Sequence, residues 1–86
     1  MQVEVKLYGL LRRYRPEDAP GERHHPFAYH IPAGTTAVAL AKVLGIPEGM
    51  VNATAVNGEA ADPDTTLQNG DKVSLFPPSA GGQYSC

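Results

Sequence analysis

The sequence predicts an α+β domain of four to five strands and one main helix. Three observations carry this. The stretches 2–8, 27–31 and 72–76 alternate polar and apolar residues, the period of a strand with one wet face. Residues 36–44 place apolar side chains at helical spacing. Asn57-Gly58 stands between two short strand-like runs and is a strong hairpin signal, because both residues tolerate positive φ.

The elements follow in chain order. In the first strand Val3, Val5 and Leu7 face the core, and Gly9 marks its end. Leu10 to Pro26 is a long connection. Its Pro16, Pro20, Gly21 and Pro26 oppose regular structure, although Leu10-Leu11 can start a helical turn. The second strand returns antiparallel, with Phe27, Tyr29 and Ile31 inward. Pro32-Ala33-Gly34 turns the chain, and Thr35 or Thr36 supplies a helix N-cap. Ala37, Leu40, Ala41 and Leu44 then form one helical face. Gly45 suits the left-handed position after the helix, Ile46 packs back on the last turn, and Pro47 prevents continuation. Val51 to Val56 reads as a strand whose lost alternation leaves its inward residues open. Glu59-Ala60-Ala61 is a short return strand ended by Pro63. Leu67 is an isolated apolar anchor, Asn69-Gly70 a further turn, and Lys72 to Phe76 the last strand, with Val73 and Leu75 inward.

The bulk composition narrows the function classes. At 86 residues the chain is one domain with a thin core, ill suited to enclosing a deep catalytic pocket. Its net charge of -2 and pI near 5.8 give no nucleic-acid footprint. The one basic cluster, Arg12, Arg13 and Arg15, is either a solvated loop or a docking patch for an acidic partner. No apolar run approaches the roughly 20 residues that cross a bilayer, and Met1 leads straight into a strand pattern without a signal peptide. The single cysteine, Cys86, cannot form an internal disulfide. A cytoplasmic protein, without nucleic-acid or membrane partners, is the expectation.

Conventional catalytic sites find little support. His24 and His25 are adjacent and would face opposite ways on a strand, and His30 falls on an outward face, so a metal site is not expected. No nucleophile elbow or phosphate-cradling glycine loop is present. Asp62, Asp64 and Asp71 sit in turn-like segments, where turn formation explains them. The C-terminal segment is different. Pro77-Pro78 fix φ and donate no hydrogen bond, so they carry the chain out of the sheet. Ser79-Ala80-Gly81-Gly82 then offer little side chain. Glycine lacks a Cβ and lets backbone approach a reacting centre closely. Composition alone leaves both a plain floppy terminus and a tail that enters another protein's channel.

The run Asn69 to Gly82, NGDKVSLFPPSAGG, resembles the C-terminal signature of the MoaD/ThiS family of ubiquitin-like sulfur carriers. Val56-Asn57-Gly58-Glu59 resembles the family's preceding hairpin, and Thr36 to Pro47 its helix and helix exit. The resemblance covers residues 1–82, most thinly over Leu10 to Pro26. Pro-Pro and Ala-Gly-Gly look more like the molybdopterin-synthase small subunit than the thiazole-pathway carrier. The resemblance implies a ubiquitin-like β-grasp fold, a mixed four- to five-stranded sheet packed on one main helix, as a domain over residues 1–78 with a tail over 79–86. It implies a carrier rather than an enzyme, with no bound cofactor. An adenylating enzyme of the ubiquitin-activating type would use ATP to activate the terminal glycine. A desulfurase- or rhodanese-type donor would supply sulfur, and a synthase such as a molybdopterin synthase large subunit would accept it. On this chain Gly82 becomes the adenylate and thiocarboxylate site, and Gly81 gives the tail access. Phe76, Pro77, Pro78, Ser79 and Ala80 become the partner-binding segment.

One departure from the pattern matters. Gln83-Tyr84-Ser85-Cys86 follow the diglycine, so Gly82 lies in a peptide bond and has no carboxylate to activate. Removal of the four residues, by a zinc-dependent protease of the deubiquitinase type, is the favoured reading. The alternatives are a ubiquitin-like modifier conjugated through Gly82, a sulfur donor to another pathway (thiazole, cysteine or tRNA thiolation), and a non-catalytic β-grasp interaction module. A role for Cys86, as persulfide carrier or dimer link, ranks below these.

Overall fold

The computed structural model describes residues 1–78 except Pro20, Arg23, His24 and Glu48. Among these are five strands: β1 (Gln2–Leu7), β2 (Phe27–His30), β3 (Ala53–Val56), β4 (Glu59–Ala61) and β5 (Lys72–Phe76). One α-helix, α1 (Ala37–Val43), lies between β2 and β3, and a 3₁₀ helix, Gly9–Tyr14, follows β1. The strands form a single mixed sheet in the order β2-β1-β5-β3-β4. β1 and β5 run parallel at its centre, and every other neighbouring pair is antiparallel.

Alternation in the strands translates directly into burial. Val3, Val5 and Leu7 of β1 and Val73 and Leu75 of β5 are all buried. They meet Phe27, Ile31, Leu40, Ala41, Ile46 and Leu67 in one hydrophobic cluster between the sheet and α1. Thr54 settles the ambiguous strand: it is the buried residue of β3, paired with Leu75. β3 begins at Ala53, not Val51, yet the Asn52 N–H still donates to the Phe76 carbonyl at 2.8 Å.

Most of the helix's end groups are paired. Of its unpaired first-turn donors, Ala37 N–H bonds Thr65 O, Val38 N–H bonds Pro63 O, and Ala39 N–H bonds the Thr36 hydroxyl at 3.2 Å. Leu40 N–H already reaches Thr36 O. At the other end Gly45 adopts φ 84°, its N–H reaching Lys42 O, while Ile46 N–H reaches Ala41 O. This pair of bonds is the Schellman arrangement, and the buried Ile46 closes it with its hydrophobic contact. Asn57 and Gly58 both have positive φ, 54° and 86°, as a type I′ hairpin requires. The 62–67 segment serves as the strap over the helix start, and Leu67, an anchor in sequence, is 1% exposed.

The connection from β1 to β2 carries more order than expected. Leu11, inside the 3₁₀ helix, is fully buried and extends the core, while its neighbour Leu10 is exposed. The three arginines separate. Arg15 turns into the loop, donating to the carbonyls of Ala19, Gly21 and His25 and lying over the Phe27 ring at 5.5 Å. Arg12 and Arg13 remain exposed.

Candidate functional site

The place where the chain leaves the sheet is built from both neighbours of β5. On one side the Tyr8 N–H donates to the Leu75 carbonyl at 3.1 Å. On the other the Asn52 N–H holds the Phe76 carbonyl. The last two carbonyls of the strand are therefore gripped from opposite sides, which fixes the direction of departure. Parallel pairing of Leu7 with Leu75 sets Tyr8 beside Phe76. Their rings stack with centroids 4.4 Å apart and planes 23° apart, an offset arrangement that adds to burial of the ring faces. The Lys6 ammonium stands 5.2 Å from the Tyr8 centroid on the same outward face.

Pro77 then crosses Gly9. A β-carbon on Gly9 would fall 2.9 Å from Pro77 Cγ, and Gly9 has φ +56° besides. Glycine is needed there for both reasons: the backbone sits in the left-handed region, and the proline ring occupies the space a side chain would take. Pro77 is half-buried and Pro78 exposed.

Of the site residues predicted from sequence, Phe76, Pro77 and Pro78 thus form one anchored root. Ser79, Ala80, Gly81 and Gly82, and the extension 83–86 with Cys86, lie outside the described residues. Tyr8, Gly9 and Asn52 were not foreseen as parts of the root. A signal existed: Tyr8 and Phe76 each close the polar register of their strands, after Gln2-Glu4-Lys6 and Lys72-Ser74, so both put an aromatic ring on the wet face.

Elsewhere the chemistry is sparse. Among the described residues no group of three or more His, Cys, Asp or Glu is placed to hold a metal. His30 is exposed and bonds Gln2 Oε1 at 2.7 Å, and His25 Nδ1 accepts from the Glu22 N–H; His24 is outside the described residues. Asp71 bonds the Gln68 N–H and the Asn57 side chain, and so organises the turn before β5. No helix among the described residues is long and apolar enough to cross a membrane. What the described residues offer is position: an aromatic-flanked root from which the chain leaves the sheet.

Comparison with known proteins bears on that segment. Known structures share the whole fold. Small archaeal modifier protein 1 (SAMP1) from Haloferax volcanii superposes with a TM-score of 0.66 at 22% identity, covering 95% of this chain and 100% of that one. A Pyrococcus furiosus protein proposed to be molybdopterin converting factor subunit 1 gives 0.62 at 24% identity, covering 90% and 97%. A chain in the complex of subunits 1 and 2 of molybdopterin-converting factor from Helicobacter pylori gives 0.54 at 28% identity, covering 91% and 95%. The fold is accordingly the ubiquitin-like β-grasp. No curated protein matches the chain in sequence. The model of the ThiS family matches residues 22–82, from the loop before β2 to the second glycine of the tail, and the chain belongs to that family.

Proposed function

We propose that this chain is a sulfur carrier that works at Gly82 once residues 83–86 are removed, and that it donates sulfur in molybdopterin (molybdenum or tungsten cofactor) biosynthesis. The observation that carries the reading is the extent of the family match, which ends on Gly82 itself, four residues before Cys86. The anchored root supports it. The six residues from Pro77 through Gly82 span at most about 20 Å. A tail so short and thin delivers its end to a partner's centre while the folded domain stays outside.

The chemistry belongs to the partners. A freed Gly82 carboxylate attacks the α-phosphorus of ATP on an adenylating enzyme, releasing pyrophosphate and making AMP the leaving group. The terminal sulfur of a persulfide on a desulfurase- or rhodanese-type donor attacks the carbonyl and expels AMP, forming an acyl disulfide; a thiol then attacks the donor's sulfur, becomes part of a disulfide with it, and releases the thiocarboxylate. Burial of that group in a partner's channel keeps water from hydrolysing it. The carrier binds no cofactor and catalyses nothing alone. The accepting enzyme is taken to be a synthase large subunit, in line with the two-subunit complex from H. pylori. A zinc-dependent protease is the proposed trimming enzyme, and the cytoplasm the proposed site of action.

Intact mass spectrometry on the protein from its own source tests the reading. A mass lacking Gln83 to Cys86, with one oxygen replaced by sulfur, is expected. Full-length protein that persists beside an active adenylating enzyme overturns it. A second reading, conjugation to lysine through the same carboxylate, is favoured by the fold shared with a protein named as a modifier. Slow-migrating conjugates that vanish on deletion of Gly82 distinguish it.

A further inference from the structure

An open groove of about 290 Å³ lies between α1 and the β3–β4 hairpin. Val38 and Lys42 line it from the helix, Ile46 and Pro47 from the helix exit, and Val51 and Ala61 from the sheet side. Among the described lining residues Lys42 is the one charged side chain. Val38 remains 42% exposed at the groove, so apolar surface there is still open to burial. Asn52 joins the groove to the tail root. It lines the groove, and its N–H is the one that holds the Phe76 carbonyl at 2.8 Å. The groove therefore opens where the chain leaves the sheet. With seven residues, α1 is about 10 Å long. Tyr84 stands six residues after Pro78 and can lie up to about 20 Å from it, so it reaches any point of the groove. Beyond Pro78 the sequence reads Ser-Ala-Gly-Gly-Gln-Tyr-Ser-Cys, and Tyr84 is its one aromatic residue.

We propose that this groove is the seat of the chain's own extension, residues 83–86, with the Tyr84 ring packed against Val38 and the Lys42 ammonium over its face. Size selects the occupant. Pockets for drug-sized ligands begin at about 300 Å³, so this groove holds little more than one aromatic side chain. Such a ring buries about 150–250 Å², far below the roughly 1,000 Å² of a stable contact between separate proteins. A second copy or another protein gains too little there. The extension is tethered beside the groove at an effective concentration of millimolar order and needs far less. Tyrosine suits the walls, because its ring packs on apolar side chains while its hydroxyl stays in water. A lysine ammonium above the ring adds a cation–π attraction. The inference goes beyond the sulfur-carrier reading and does not depend on it. Its consequence for that reading is regulatory: a seated extension holds residues 79–82 against the domain, and removal of residues 83–86 frees them to enter a partner.

Nuclear magnetic resonance on the full chain tests this. Its amide shifts are compared with those of the chain ending at Gly82, and a nitroxide on Cys86, the single cysteine, marks where the extension lies. The variants are Y84S and V38E, each first checked for an unchanged melting transition; Y84S lies outside the described domain and carries the test if V38E does not fold. Shift differences and nitroxide broadening centred on Val38, Lys42 and Ala61 are expected, unchanged on dilution and lost in both variants. Ala28 and His30, on the far edge strand β2, should be unaffected. Chymotrypsin, which cuts after accessible tyrosine, should cleave after Tyr84 faster in V38E than in the wild type, since cleavage follows the open population. Broadening spread evenly around Pro78, with the same pattern in Y84S, overturns the inference, as do equal cleavage rates. Broadening that fades on dilution gives the groove to a second copy and overturns it too. None of these outcomes touches the carrier reading, which stands or falls on the mass of the processed protein.

Discussion

Gly9 and Pro77 occupy one another's space: the hydrogen of the first lies where a β-carbon would come within 2.9 Å of Cγ of the second. Gly9→Ala therefore meets two penalties. The left-handed backbone costs a residue with a side chain about 1–2 kcal/mol, and the new methyl pushes the tail root off its seat. The expected result is a lower urea midpoint, with Pro77→Ala relieving part of the loss. A double-mutant cycle reads that coupling. Additive effects of the two substitutions would mean that the contact does not hold the root.

The capping of α1 gives a second prediction. The Thr36 hydroxyl accepts from the Ala39 N–H, and Thr36 also bridges Thr66 through its backbone. Thr36→Ala leaves one donor unpaired and is expected to cost about 1 kcal/mol, while Thr36→Ser keeps the oxygen and most of the stability. Denaturant unfolding of the three proteins checks this, and equal losses in both variants would contradict the cap.

Much of this architecture is legible in the residues themselves. β1, β2 and β5 declare their inward faces by alternation, and α1 announces both ends through Thr36 and Gly45-Ile46-Pro47. The illegible parts share a physical cause, which is the lack of a period. Leu10-Leu11 is a doublet with no repeat around it, so nothing in the order of residues says that Leu11 enters the core and Leu10 faces water. Ala53 to Val56 lacks contrast, and only pairing with β5 assigns the inward position to Thr54. The arginines read as one cluster because they are close in sequence. Their division into an internal Arg15 and an exposed Arg12-Arg13 depends on carbonyls four to ten residues further on. At the site, sequence identified the strand end and its prolines, while the residues that grip them, Tyr8, Gly9 and Asn52, lie just after β1 and just before β3, far away in the chain.

Leu67 supplies a third prediction. It belongs to no strand or helix, yet it is 1% exposed and its N–H is tied to Thr35 O at 2.9 Å. Leu67→Ala would empty part of the core beneath the strap that caps α1, at a cost of about 2–5 kcal/mol. A domain of this length has roughly 4–13 kcal/mol in all. The variant is expected to melt far below the wild type, or to be unfolded at physiological temperature. A shift no larger than that of an exposed substitution such as Val43→Ala would remove Leu67 from the core.

Gly82→Ala separates the proposed chemistry from the fold. On the proposed function residue 82 acts beyond the buried cluster, whose last member among the described residues is Leu75. Stability in urea should match the wild type. Under the proposed function, by contrast, the added methyl group would sit beside the reacting carbonyl and obstruct both the tail's entry into the activating channel and the approach of the nucleophile. In a chain ending at residue 82, incubated with the adenylating enzyme, ATP and a sulfur donor, thiocarboxylate measured by intact mass should fall at least about tenfold. That corresponds to about 1.4 kcal/mol of lost transition-state stabilisation. Gly81→Ala should act in the same direction through the width of the channel. Undiminished thiocarboxylate in Gly82→Ala would take the reactive role from this residue. Loss of thiocarboxylate with loss of folding would place residue 82 in the structure rather than in the chemistry.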